Sequence, residues 1–190
     1  MKIVKANQAG VAAAVAAMKH NRPVVFPTDT AYALGGIFDS RSVQRKIAAI
    51  KRRTDPKFTL VAAGLTQVEN FFTLSPKEKK LAKKFWPGPL SLVVSKKFAV
   101  RVPDSRIART LARRVGKPLI ATSANISGEV TPYTIAAVIG QFVDKKNQPA
   151  VLIDAGRLQK RKVSTVLAAR GIKPKIIRAG AISASALSKF

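Results

Sequence analysis

The sequence of 190 residues contains no cysteine, one histidine and only nine acidic residues. The lack of cysteine excludes disulfides, thiolate nucleophiles and cysteine-based metal sites. Because His20 is the single histidine, a Ser–His–Asp hydrolase is a poor interpretation, and the scattered carboxylates predict no protein-built metal site. No apolar run approaches the ~20 residues that span a bilayer, so we expect a cytoplasmic protein without a membrane segment.

A phosphate-binding P-loop is also missing, because no stretch reads GxxxxGK[ST]. The paired glycines at 35–36 lack the rest of a dinucleotide-binding fingerprint. If the protein uses ATP, it must hold the phosphates in another way.

Positive charge is abundant: 35 lysines and arginines give a net charge of +26. They recur in four segments, RSVQRKIAAIKRR, SPKEKKLAKKF, RIARTLARRVGK and GRLQKRK. Charge spread in this way predicts basic folded surfaces rather than a disordered arm. Nucleic acid, nucleotides and anionic membranes are candidate partners. The alternative is a proteome that is basic throughout.

Strand and helix patterns alternate along the chain, which predicts a single α/β domain over residues 1–190, with a twisted mixed sheet and flanking helices. Ser40 is expected to cap a helix, and Ser75 with Glu78 forms a capping-box pattern at the start of another.

The stretch PTDTAYALGG, residues 27–36, follows an apolar run and begins with Thr28, Asp29 and Thr30. Ligands bind at the ends of strands in α/β sheets, and threonine hydroxyls both donate and accept hydrogen bonds. The stretch is therefore either the lip of a pocket for a small polar ligand or a surface turn in which Asp29 satisfies local backbone groups.

Basic residues end the helix that follows, at Lys51, Arg52, Arg53 and Lys57. They complement the helix dipole, or they form a phosphate clamp. Inside an apolar strand, Arg101 is either an edge residue or an anion ligand that reaches into a cavity.

Small polar residues gather in LIATSANISGEVT, namely Thr122, Ser123, Asn125 and Ser127. Hydroxyl and amide groups with exposed backbone N–H groups favour anion binding. Thr131 is expected to cap the next helix, with Pro132 in its first position.

Seven segments, PTDTAYALG, KRR, WPGPLSLV, VRVP, TSANISG, STV and IIRAGAI, occur in the order and spacing of the YrdC-like family. The chain resembles the short, single-domain threonylcarbamoyl-AMP synthases of that family. The resemblance implies an α/β domain with a large basic cavity. It also implies a nucleotidyltransferase that makes threonylcarbamoyl-AMP and pyrophosphate from L-threonine, bicarbonate or CO2, and ATP with Mg2+ on its phosphates. Downstream threonylcarbamoyl-transferase proteins would then modify tRNA.

The motif matches imply roles for individual residues. Thr28, Thr30, Tyr32, Arg101 and Ser164 correspond to positions at the L-threonine end of the cavity, where Arg101 would pair with the threonine carboxylate. The implied catalytic residues are Lys51, Arg53 and Ser123. The implied nucleotide-binding residues are Lys51, Arg53, Ser123, Asn125, Thr131 and Arg178.

Some segments depart from the synthase pattern. Ala33 stands where the family has glycine, and KRRTDPKFTL replaces the usual continuation of the clamp. Both features resemble the YciO-like branch, whereas WPGPLS and TSANISG resemble the synthases. The alternative function is therefore a non-catalytic or YciO-like protein that binds tRNA or another RNA.

Overall fold

The computed structural model of the protein describes residues 1–52, 58–171, 174–188 and 190. The strands are β1 (Lys2–Lys5), β2 (Val24–Pro27), β3 (Tyr32–Ile37), β4 (Phe58–Val61), β5 (Leu90–Val93), β6 (Phe98–Arg101), β7 (Leu119–Ser123), β8 (Val151–Asp154), β9 (Thr165–Ala168) and β10 (Lys175–Arg178). The helices are α1 (Gln8–Lys19), α2 (Arg41–Lys51), α3 (Leu65–Glu69), α4 (Pro76–Phe85), α5 (Arg106–Val115), α6 (Ile135–Phe142) and α7 (Ala184–Leu187).

These strands form one mixed sheet in the order β1-β8-β2-β3-β7-β4-β6-β5-β9-β10. Parallel pairing joins β8 to β1 and to β2, β4 to β6, and β5 to β9. The other neighbours pair in the antiparallel direction. The predicted α/β fold with a mixed sheet and flanking helices is therefore confirmed.

Helices cover both faces of the sheet. Side chains alternate between the two faces along each strand, so a single strand contributes residues to the cores on both sides. On β2, Val24 and Phe26 belong to a core formed with α1 and α5. Val25 belongs to the opposite core, to which α2 and α6 contribute. A third cluster packs Leu81 of α4 against Leu90 of β5 and against the end of the chain.

The predicted start signals of two helices are confirmed. Ser40 caps α2 by accepting a hydrogen bond from the N–H of Val43 at 3.3 Å. The apolar stripe of α2, which includes Ile47 and Ile50, is buried. The capping box at Ser75 is present at the start of α4.

The paired glycines of PTDTAYALGG, a pattern that often indicates a turn, lie in a strand. The turn lies earlier, and residues 32–37 form β3, which pairs with β2 and β7. Gly35 faces Ala121 of β7, and a Cβ atom at Gly35 would lie 1.9 Å from the carbonyl oxygen of Ile120. Glycine at this position therefore serves close strand contact rather than chain reversal.

The predicted cap of α6 is also wrong. Thr134, not Thr131, is the N-cap residue, and its hydroxyl accepts a hydrogen bond from the N–H of Ala137 at 3.2 Å. The helix begins at Ile135, so Pro132 precedes it instead of occupying its first position. A second threonine three residues further on had the same capping chemistry, and the sequence pattern did not distinguish the two.

Candidate functional site

A polar cavity of about 350 Å³ opens where the β2–β3 turn meets β7 and the segment before β9. Its described lining consists of Thr28, Thr30, Ala31, Tyr32, Ala33, Thr59, Arg101, Ala121, Thr122, Ser123, Thr131, Tyr133, Val163, Ser164 and Arg178. Strands far apart in sequence supply these residues, so the long-range pairing of the sheet creates the site.

The β2–β3 turn is organised by the hydroxyl of Thr28. This hydroxyl donates to the carbonyl of Ala31 at 2.7 Å and accepts from the N–H groups of Thr30 and Ala31 at 3.2 Å each. The hydroxyls of Thr28 and Thr30 lie 3.1 Å apart. Thr28 therefore shapes the turn, and Thr30 extends this network towards the cavity.

Arg101 reaches the same turn from the end of β6. Its Nη2 atom lies 3.1 Å from Asp29 Oδ1 and donates to Thr30 Oγ1 at 3.2 Å. Its Nη1 atom donates to Asp29 Oδ2 at 3.3 Å. Both charged side chains are 6% exposed. Arg101 is thus a buried cavity residue, and the edge-residue interpretation is wrong.

Burial lowers the pKa of the Arg101 guanidinium from its usual value, because the charged form loses hydration. The Asp29 carboxylate opposes this shift, whereas the nearby Arg178 cation adds to it. Arginine remains protonated in proteins, so the cavity contains a permanent cation. The Asp29 carboxylate partly balances its charge.

Asp29 is the site residue for which sequence reasoning gave only a local role. Its Oδ2 atom accepts from Arg101, 72 residues away, and also from the N–H of Asp104 at 3.3 Å. The hydroxyl of Ser105 donates to the carbonyl of Pro27 at 3.0 Å and fastens the same turn to the start of α5. No local pattern could reveal these partners, because they meet only when β2 and β6 occupy one sheet.

Tyr32 lines the cavity with a fully buried side chain. Its hydroxyl donates to the carbonyl of Gly156 at 2.8 Å and accepts from the N–H of Ala155 at 2.9 Å. Burial raises the pKa of this hydroxyl above 10.0. Tyr32 thereby connects β3 to the segment that leaves β8.

Ser164 and Arg178 form the opposite wall. The Ser164 hydroxyl lies 3.0 Å from that of Ser91 and accepts from Arg178 Nη2 at 2.9 Å. Arg178 also donates to the Ser164 carbonyl from Nε and Nη2, at 3.1 and 2.9 Å. Ser91, which no sequence pattern singled out, is fully buried beneath this pair.

Lys51 lies behind the wall formed by β7 and is 4% exposed. Its ammonium group donates to the carbonyls of Ser123 and Asn125 at 2.8 and 2.7 Å. The Asn125 amide donates to the carbonyls of Ile126 and Glu129 at 2.9 and 2.7 Å. Lys51 and Asn125 therefore support the loop after β7, and the described cavity lining includes Ser123 but neither of them.

Two further predicted residues, Thr131 and Arg53, have different outcomes. Thr131 lines the cavity although it caps no helix. Arg53, the second residue of the proposed clamp, lies outside the described residues. Tyr133 and Thr59 line the cavity without having been singled out in the sequence, since neither belongs to a polar cluster there.

Two features are absent from the described part of the chain. Within it, no group of three or more histidine, cysteine or acidic residues could hold a metal ion. None of its helices combines the length and the apolar character needed to cross a membrane.

An α/β sheet whose strand ends surround arginines and hydroxyls belongs to the class of folds suited to binding a small, polar, anionic ligand. Comparison with known proteins narrows this class. The Sua5/YciO/YrdC family model, described as "Telomere recombination", matches residues 16–180. The chain belongs to the Sua5/YciO/YrdC family, so the resemblance found in its motifs is confirmed.

Three relatives illustrate the similarity. The threonylcarbamoyl-AMP synthase of Bacillus subtilis is 33% identical over 193 residues, which are 93% of this chain and 55% of that protein. The structure of Pyrococcus abyssi Sua5 complexed with L-threonine is 30% identical, with a TM-score of 0.85, over 99% of this chain and 59% of that one. Escherichia coli YciO, at 22% identity and a TM-score of 0.83, shares the fold over 98% of this chain and 97% of its own. The chain thus spans just over half the length of the first two.

Proposed function

We propose that this protein is an L-threonylcarbamoyladenylate synthase, a nucleotidyltransferase that uses ATP, L-threonine and bicarbonate or CO2. One observation carries the proposal: the chain aligns over 99% of its length with Sua5 complexed with L-threonine. The polar cavity is consistent with it, because hydroxyls and arginines suit a zwitterionic amino acid and a phosphate ester.

The chemistry requires little acid–base catalysis. The threonine amine attacks CO2 and loses a proton, which gives an anionic carbamate. A carbamate oxygen then attacks the α-phosphorus of ATP, and the bond to the leaving pyrophosphate breaks. When bicarbonate is the carbon source, water is also released. The protein must bring two anions together and balance the charge on the leaving group. A site without histidine or cysteine can do this with cations and hydroxyls.

The amino-acid end of the cavity is assigned to the β2–β3 turn. Arginine has five N–H donors, and the contacts of Arg101 with Asp29 and Thr30 use at most three of them. The guanidinium can therefore also bind a substrate carboxylate, and the Thr30 hydroxyl lies beside it. Tyr32 also lines the cavity and would complete this end.

The nucleotide end is assigned to the wall that contains Ser123, Thr131 and Arg178, which all line the cavity. Arg178 would balance phosphate charge, and its guanidinium is held by Ser164, the residue that the motif match assigns to the L-threonine end. Lys51 would act here as well, because its ammonium group holds the loop that carries Ser123.

Arg53 and Asn125 complete the proposed nucleotide site, with Arg53 as the second clamp cation. Mg2+ would bind to the ATP phosphates, because the phosphates supply oxygen ligands themselves. Downstream transferase proteins, tRNA as the final acceptor and a cytoplasmic location are further parts of the proposal.

Mass spectrometry tests this function directly. Purified protein is mixed with ATP, Mg2+, L-threonine and bicarbonate, and threonylcarbamoyl-AMP and pyrophosphate are measured. We expect both products from the complete mixture and neither when L-threonine or ATP is omitted. A folded protein that binds ATP but forms no threonylcarbamoyl-AMP would contradict the proposal. Ser123→Ala should slow synthesis, whereas wild-type rates in this variant would remove Ser123 from the catalytic set.

RNA binding is a second candidate, favoured by the net charge of +26. Exposed lysines on α4 provide one surface of this kind. This function and synthesis do not exclude each other.

A further inference from the structure

Residues 156–163, here called the basic loop, connect β8 to β9 beside the cavity mouth. The loop contains four cations, Arg157, Lys160, Arg161 and Lys162, and no acidic residue. All four side chains belong to exposed residues. Within the described part of the chain, none of the four forms an ion pair with a carboxylate. Like charges so close together repel one another unless an anion lies among them.

The two ends of the basic loop are fixed to the cavity wall. At the first end, the Tyr32 hydroxyl holds Ala155 and Gly156, and the N–H of Leu158 donates to the carbonyl of Tyr133 at 2.8 Å. At the second end, Ser164 is buried and bonded to Arg178. The cations therefore lie on a segment anchored at both ends by residues that line the site.

Two further cavities, each sharing a lining residue with the main cavity, are lined by the cations of the basic loop. Arg157 and Lys160 line one of them together with Tyr133, which also lines the main cavity. Arg161 and Lys162 line another together with Thr30, which is likewise shared with the main cavity. The acidic residues Asp29 and Asp104 also line this cavity, and the Asp29 carboxylate is already paired with Arg101. The guanidinium of Arg161 is oriented by two hydrogen bonds to the side chain of Gln159, at 3.2 and 3.0 Å.

We propose that the basic loop is a binding site for a diphosphate group, which it holds at the cavity mouth. The inference rests on the proposed function, in which ATP enters this cavity and pyrophosphate leaves it. The group would be the β- and γ-phosphates of bound ATP or the released pyrophosphate, because both present the same clustered anionic oxygens. Four lysine and arginine side chains match such a group in charge and in hydrogen-bond donors.

The test compares two variants that each lose four positive charges. The loop variant is R157Q/K160Q/R161Q/K162Q. The control is K83Q/K84Q/K145Q/K146Q, which changes exposed lysines outside the described linings of the three cavities. Since both variants lower the net charge equally, a general loss of electrostatic attraction would affect them alike. Circular dichroism checks that both remain folded.

Isothermal titration calorimetry then measures the binding of ATP, AMP and pyrophosphate separately. In the loop variant, we expect ATP affinity to fall roughly tenfold or more, which corresponds to about 1.4 kcal/mol. AMP affinity should change by less than about twofold, and the control should behave like the wild type, since surface charges remote from the ligand contribute little. Competition by free pyrophosphate against ATP should weaken in the loop variant only, which would show that the loop also binds the released product.

Other results would overturn the inference. It fails if the loop variant loses no more ATP affinity than the control, or if AMP affinity falls as much as ATP affinity. It also fails if the wild type binds ATP no more tightly than AMP. Failure of the proposed function looks different: loop-dependent ATP binding without threonylcarbamoyl-AMP synthesis would preserve the diphosphate site and reject the synthase.

Discussion

Arg101 and Asp29 form a buried ion pair beside the cavity, with 3.1 Å between Nη2 and Oδ1 and 6% exposure of each side chain. A buried pair costs desolvation energy, and its geometry must compensate for that cost. Here the pair joins the β2–β3 turn to the end of β6. It therefore gives the cavity a fixed guanidinium instead of a mobile one.

Replacing Asp29 by asparagine should leave the Arg101 charge buried without its counterion. We expect Asp29→Asn to lower the free energy of unfolding by about 3–5 kcal/mol. Urea denaturation measures this change. Asp104→Asn is the matched control, because the backbone N–H of Asp104, not its carboxylate, contacts Asp29. Equal stability of the two variants would show that the ion pair contributes little.

The two glycines at the end of PTDTAYALGG should differ in their tolerance of a methyl group. Gly35→Ala places a Cβ atom 1.9 Å from the backbone oxygen of Ile120, whereas Gly36→Ala meets the Val43 Cγ1 atom at 2.7 Å. A side chain can move more easily than a paired strand, so we expect losses of at least about 4 kcal/mol and about 1–3 kcal/mol respectively. Denaturant titration of the two variants measures both values, and similar losses would contradict this account of β3.

The glycines of β3 and the Asp29–Arg101 pair also show which features can be predicted from the sequence and which cannot. The alternation of elements, the Ser40 cap of α2 and the capping box of α4 follow local rules and were predicted correctly. Strand β3 was missed because its paired glycines resemble a turn signal. The role of Asp29 was missed because its partner is 72 residues away. Local patterns therefore predicted the elements, whereas the site depends on which strands become neighbours.

Tyr32→Phe should remove one donor and one acceptor from the anchor of the basic loop. We expect a loss of about 1 kcal/mol in stability and faster amide exchange at Ala155, because its N–H loses its partner. Hydrogen exchange followed by mass spectrometry measures the second effect. Tyr133→Phe, which keeps the backbone contact to Leu158, is the control and should not change exchange at Ala155.

The stability difference between wild type and Tyr32→Phe should also depend on pH. Burial raises the folded-state pKa of Tyr32 above the usual 10.0. The contribution of the neutral hydroxyl is fully present below the unfolded-state pKa and is lost as the pH rises through the folded-state pKa. We therefore expect a constant difference from about pH 6 to 9 and a smaller one above about pH 10. A difference that changes near neutral pH would point to another group.

Charge reversal on α4 should separate RNA binding from synthesis. Lys79→Glu, Lys80→Glu and Lys83→Glu together should weaken tRNA binding and make its salt dependence shallower, since fewer counterions are released. Synthesis from small substrates should remain close to wild type, because these residues lie outside the described cavity lining. Filter binding at several salt concentrations provides the measurement. Unchanged RNA affinity would remove this surface from the candidate RNA site.

The most direct test of the assigned cavity is a comparison of L-threonine with L-threoninamide, which lacks the carboxylate. Calorimetric titration of the wild type should detect binding of L-threonine. The affinity for L-threoninamide should be at least roughly tenfold weaker, because Arg101 would lose its charged partner. In Arg101→Lys this preference should shrink, since lysine keeps the charge but lacks the planar fork of donors. Equal affinity of the wild type for both ligands would contradict the account.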